Sequence, residues 1–196
     1  MNGNVKNSLA GELPGDKIIR LVNDYIGCSL LNNRQKLADL VARGVDDPNQ
    51  IVTVTTNCGL FSLGIMEIAG VQDPLLDKKY VIGLAIAWVR QIGTNLKALV
   101  KYTGKNGIQP KRGDLLHYYT NGKDDNHVEW CLSDIDDNGI AEHGGGGRSN
   151  NAITKSTSSV LTNYYRPLQE IIQCDKLGIE IVPVGSDINE AYPDIT

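Results

Sequence analysis

The sequence predicts an α+β protein, with helices in its first half and an antiparallel sheet in its second. Three observations carry this. Apolar residues recur at helical spacing as far as about residue 102. After Gly104 the runs become short and rich in β-branched and aromatic residues, as strands are. Between those runs lie polar turns, NGKDDN and DIDDNG, which suit antiparallel connections.

Residues 1–15 are polar with Gly and Pro, and read as a lead-in. Asp16 is the expected cap of a first helix. Ile18, Leu21, Val22 and Tyr25 fall at i, i+3, i+4 and i+7, and Gly27 stops it. A second helix is expected over 34–43, with Leu37, Leu40 and Val41 on one face and Gly44 past its end. Residues 46–49 (DDPN) form a turn, and the β-branched run 51–55 (IVTVT) is extended. The pattern is helical again from Cys58 to Gly70. Phe61, Ile65 and Ile68 share one face, and Leu60, Leu63 and Met66 widen it, so this helix is expected to be buried on most sides. Two further helical stretches follow, over 75–92 and 95–102, with Trp88 in the core.

Residues 104–113 form a turn-rich link. Strands are then expected at 114–119 (DLLHYY), 127–133 (HVEWCLS) and 139–142 (GIAE). Residues 144–147 are four glycines and read as a flexible turn beside them. A strand over 158–165, a helix over 167–174 and a last strand at 179–184 complete the expectation. The organisation is a single domain over 1–196, with 1–50 as a helical extension and 51–184 as the core that carries any chemistry.

Composition excludes several classes. The net charge is −4 with no block of like charge, so no basic face points to a nucleic-acid partner. The longest apolar run, 81–89, is far below the roughly 18–20 residues that span a bilayer. The first sixteen residues lack the basic and apolar regions of a secretory signal. The expectation is a soluble chain, cytoplasmic or exported by a non-Sec route, without membrane insertion. The four cysteines are widely and irregularly spaced with no CxxC pair, so they are expected to be reduced thiols. No short-spaced His or Cys pair supports zinc, and 144–147 lacks the Lys-Ser/Thr of a phosphate loop. No metal or cofactor is expected.

Chemistry gathers at Cys58. A free thiol is mostly protonated at neutral pH and needs help to act as a nucleophile. A helix N-terminus supplies partial positive charge and unpaired N–H groups. Of the four cysteines, only Cys58 opens a helix, behind a capping-type Asn57 and before Gly59, where a substrate backbone could approach. The base must be one of three histidines. His117 lies mid-strand and is expected to be structural. His127 and His143 sit at strand ends and make a base and orienter pair.

The ordered pieces NCGLFSLGIMEIAGV, PKRGDLLHYY, HVEWCLS and GIAEHG resemble the NlpC-type endopeptidases and, more broadly, the CHAP amidases of the papain-like superfamily. The resemblance implies a papain-like fold with Cys58 as nucleophile, His127 as base, and His143, or its neighbour Glu142, as the third residue. It gives Gly113 and Asp114 a structural role at a strand start. It implies hydrolysis of amide bonds in a peptide or peptidoglycan substrate. Asn57-Cys58-Gly59 and Glu129 depart from the family's usual flanks. Two other functions stay open: an intracellular acyltransferase, deamidase or toxin effector on the same fold, and an inert binding module. The oligomeric state is not legible.

Overall fold

A computed structural model describes residues 12–29, 31–41, 57–78, 84–120, 126–147, 152–163 and 165–179. Four N-terminal helices pack against a seven-strand antiparallel sheet among these residues. The helices are α1 (Pro14–Tyr25), α2 (Arg34–Val41), α3 (Asn57–Ile68) and α4 (Ala85–Asn95). The strands are β1 (Leu99–Lys101), β2 (Leu115–Tyr119), β3 (Asn126–Cys131), β4 (Ile140–Gly145), β5 (Thr154–Ser159), β6 (Thr162–Asn163) and β7 (Arg166–Ile172). Their order across the sheet is β1-β7-β2-β3-β4-β5, with β6 paired to β7. The expected turn at 46–49 and the strands at 51–55 and 179–184 lie wholly or mainly outside the described residues.

Helix α3 is the centre of the core. Leu60, Phe61, Leu63, Ile65 and Met66 are fully buried, as their all-round apolar pattern requires. Residues from α1 and α2 (Ile18, Leu21, Val22, Leu37, Leu40 and Val41) join the same cluster. The region before residue 50 therefore shares one core with the helix that carries Cys58. Leu115, Val128, Trp130 and Ile172 supply the sheet's side of it. A second, smaller cluster lies on the opposite face, around Leu116, Tyr118, Cys131, Ala141, Leu168 and Ile171.

Close packing explains two glycines in α3. A Cβ at Gly64 would lie 2.7 Å from Leu40 Cγ, and one at Gly59 would lie 2.8 Å from Ile86 N. Gly59 is thus required by the approach of α4. Gly59→Ala is expected to destabilise the fold by about 1–3 kcal/mol through overpacking, read as a lower midpoint in urea unfolding.

The structure corrects several boundaries. Helix α1 starts at Pro14, with Leu13 as N-cap, because proline's preset φ suits the first helical position. Asp16 falls in the first turn instead and ion-pairs with Arg112. The helix expected over 75–92 is confined, among the described residues, to α4, and residues 74–77 are a turn. The helix expected over 95–102 is strand β1, after Lys97 takes φ +56. The strand expected from Ser158 begins earlier, as β5, and Gly144 and Gly145 belong to β4 instead of a loop.

The expected helix over 167–174 is strand β7, and the reason is specific. Tyr118 faces Leu168 while His117 faces Glu170, so Gln169 is an extra residue in the register. Such a bulge puts Leu168 and Ile171, three residues apart, on the same face. The sequence spacing therefore imitates a helix.

Asp114 ties this strand to its neighbours. Its carboxylate accepts backbone N–H bonds from Cys174 at 2.8 Å and Lys111 at 2.9 Å. Burial raises its pKa to about 6, against those two bonds, which lower it. Its observed contacts are backbone ones at the start of β2.

Candidate active site

Side-chain alternation along β3 sorts its residues by face. Val128 and Trp130 enter the core beneath the helices, while Cys131 lies in the cluster on the other face. His127 and Glu129 share that second face. Tyr118, the register partner of His127, stacks on it with ring centroids 6.4 Å apart. Leu116 is the partner of Glu129.

Cys58 lies in the first turn of α3, and the chain leaving β4 passes over it. Gly147, at φ +99, lies near enough that a Cβ there would be 3.7 Å from Cys58 N and 3.8 Å from its Cβ, an ordinary van der Waals contact. A side chain at this position would be strained by the positive φ.

His127 stands between Cys58 and Glu129, and both side chains act on the charge of its ring. Its Nε2 lies 3.0 Å from Glu129 Oε1, which leaves Nδ1 for the thiol. Cys58 is 4% exposed, and the His127 side chain 13% exposed. Low exposure strengthens the electrostatics of the pair, because little water screens it. Burial alone would lower the His127 pKa. The bonds and charges of Cys58 and Glu129 outweigh it and push the imidazole up to about 9. A histidine so raised is mostly imidazolium at neutral pH.

Glu129 is the hub. Its side chain is 2% exposed, and it holds three donors. Besides His127, Oε2 accepts from His143 Nδ1 at 2.5 Å and from Asn163 Nδ2 at 2.8 Å. Burial would raise this carboxyl, but the two histidines hold it well below the usual carboxylate range. Because Glu129 takes the Nδ1–H of His143, the other nitrogen of that ring faces β5. It lies 2.8 Å from Ser158 Oγ and 3.4 Å from Ser156 Oγ.

The structure brings Cys58 and His127 together. It places His143 one step further out, against Glu129, so Glu129 and not His143 touches His127. The alternative, Glu142, alternates away: it is 42% exposed and faces Lys155 at 3.4 Å. His117 belongs to a separate network with Glu170 at 2.9 Å, which Arg90 grips with two bonds of 2.5 and 2.6 Å. Burial would raise Glu170, but those partners hold it at about 2.

Glu129 was readable only as a departure from the family's flank, yet a signal existed. In His-Val-Glu on a strand, residues i and i+2 point the same way. Asn163 and Ser158 had no local signal, since only the sheet brings them near.

All four cysteines are free and buried, and burial pushes Cys131 and Cys174 up to about 12. Among the described residues no group of three or more His, Cys, Asp or Glu is arranged to hold a metal ion. No described helix is long and apolar enough to cross a membrane. Compared with models of protein families, with curated proteins and with solved structures, the chain matches none.

Proposed function

We propose that the chain is a papain-like cysteine hydrolase that cleaves amide bonds. Cys58 is the nucleophile and His127 its general base and acid. Glu129 is a positioning residue that fixes the His127 tautomer and stabilises its charged form. The observation that carries this reading is the position of His127, with Cys58 of a helix N-terminus among the groups that raise its pKa and a buried carboxylate 3.0 Å from its Nε2.

Chemistry follows from that placement. Cys58 Sγ, its proton on His127, attacks the carbonyl carbon and forms an S–C bond. The developing oxyanion is met by the Cys58 N–H in the first turn of α3. His127 passes its proton to the leaving nitrogen as the C–N bond breaks. Water, losing a proton to His127, then splits the thioester and restores the thiol. The resemblance to NlpC and CHAP enzymes supports a peptidoglycan stem peptide, or the amide that joins it to the glycan, as substrate.

Incubation with purified wall fragments of several peptide chemistries tests this by mass spectrometry. Products heavier in sum by one water, each pair carrying a new amine and a new carboxylate, are expected. Intact fragments across every wall type, with Cys58 still the fastest thiol towards an electrophile, would move the reading to acyl transfer on another substrate.

A further inference from the structure

We propose that Ser158 is a second nucleophile, activated by His143 and serving esters or other activated acyl groups. Its geometry repeats the logic of the cysteine site. Ser158 Oγ lies 2.8 Å from His143 Nε2, and His143 Nδ1 lies 2.5 Å from Glu129 Oε2. A hydroxyl, a base within hydrogen-bond reach and a carboxylate orienting that base are the parts of a serine triad. One carboxylate, Glu129, thus orients two histidines, each through its own oxygen.

The polarity of the chain of bonds is set by its acidic end. Ionised Glu129 can only accept, so Nδ1 of His143 carries a proton, and in the neutral ring it is then Nε2 that can accept from Ser158. That is the tautomer in which a histidine can take a hydroxyl proton. The His143 side chain is 3% exposed, whereas Ser158 is exposed on β5, the outermost strand beside β4. The base is therefore shielded while its nucleophile is open to solvent. Ser156, directly across from His143 in the register, is the poorer candidate, at 3.4 Å.

In the reaction Ser158 Oγ bonds to the acyl carbon and its proton moves to His143 Nε2. The alcohol leaving group departs with that proton, leaving an acyl-serine that water hydrolyses. Cys58 takes no part, so the inference stands or falls apart from the cysteine reading.

An alkyl fluorophosphonate tests it on the full-length Cys58→Ala chain, where the other proposed nucleophile is absent. Attack by Ser158 forms an O–P bond and releases fluoride. Mass spectrometry is expected to find one adduct, on Ser158, forming at least about tenfold faster than on Ser156 or Ser159. His143→Asn keeps an N–H donor near Glu129 but has no atom to take the Ser158 proton, so labelling is expected to fall to the level of the neighbouring serines. Equal labelling of the three serines in the Cys58→Ala chain overturns the proposal whether or not the His143 variant folds. Undiminished labelling in a folded His143→Asn chain overturns it too.

Discussion

Cys58→Ala is expected to lower amide hydrolysis by on the order of 10⁴-fold or more, with the fold retained. The change removes the atom that bonds to carbon, and the other three cysteines are buried elsewhere in the fold. Cys131 and Cys174 are buried thiols pushed up to about 12, without a histidine partner among their causes. The volume removed is small, so the unfolding midpoint should stay within the range of ordinary single substitutions. A second readout needs no substrate. The sulfur is one of the two partners that raise His127 to about 9. Its loss is expected to bring the His127 ring titration, followed by NMR, clearly below that value. An unchanged titration would show that the sulfur is not the partner of His127, and the nucleophile assignment would go with it. His127→Ala should cost a comparable factor in rate, since base and nucleophile act as one unit and their losses do not add.

Glu129→Ala is expected to be the most destabilising of these changes, by roughly 3–5 kcal/mol, because it strands buried partners. His127, His143 and Asn163 all lose their acceptor. The effect has a pH signature. The Glu129 carboxyl is held below its ordinary 4.5, so its stabilisation is fully present above that value and is lost as pH falls beneath it. His127 is raised from 6.5 to about 9, so its stabilisation is fully present below 6.5 and is lost as pH rises through about 9. The stability difference between the parent chain and Glu129→Ala should therefore peak between about 4.5 and 6.5 and shrink on both sides. Asp114 runs the other way, raised to about 6, but it is common to both proteins and cancels in the difference. Urea unfolding at a series of pH values measures the curve. A difference that does not vary with pH would remove Glu129 from its place as the hub. Hydrolysis should fall as well, since His127 would lose the group that fixes its tautomer.

Much of this was legible locally. The buried helix α3 follows from apolar residues on every side, and β2, β3 and β4 from short strand-like runs between polar turns. Cys58 stood out because it alone opens a helix, and His127 because it opens a strand after a turn. Errors came where a local pattern had two readings. Gln169 is a bulge residue, so Leu168 and Ile171 face one way at a helical spacing. Lys97 takes φ +56 ahead of β1, where apolar spacing had suggested a helix.

The class of the fold, and the placing of Cys58 at a helix start and His127 at a strand start, were thus within reach of the chain's own pattern, because periodicity and helix or strand ends are properties of neighbours in sequence. The carboxylate beside His127 was not. Glu129 became the hub only because β4 and β6 bring His143 and Asn163 to its Oε2 from 14 and 34 residues away. The same pairing set Ser158 of β5 against His143, 15 residues before it. Hydrogen bonds of that range depend on strand register, and register is decided by packing of the whole sheet.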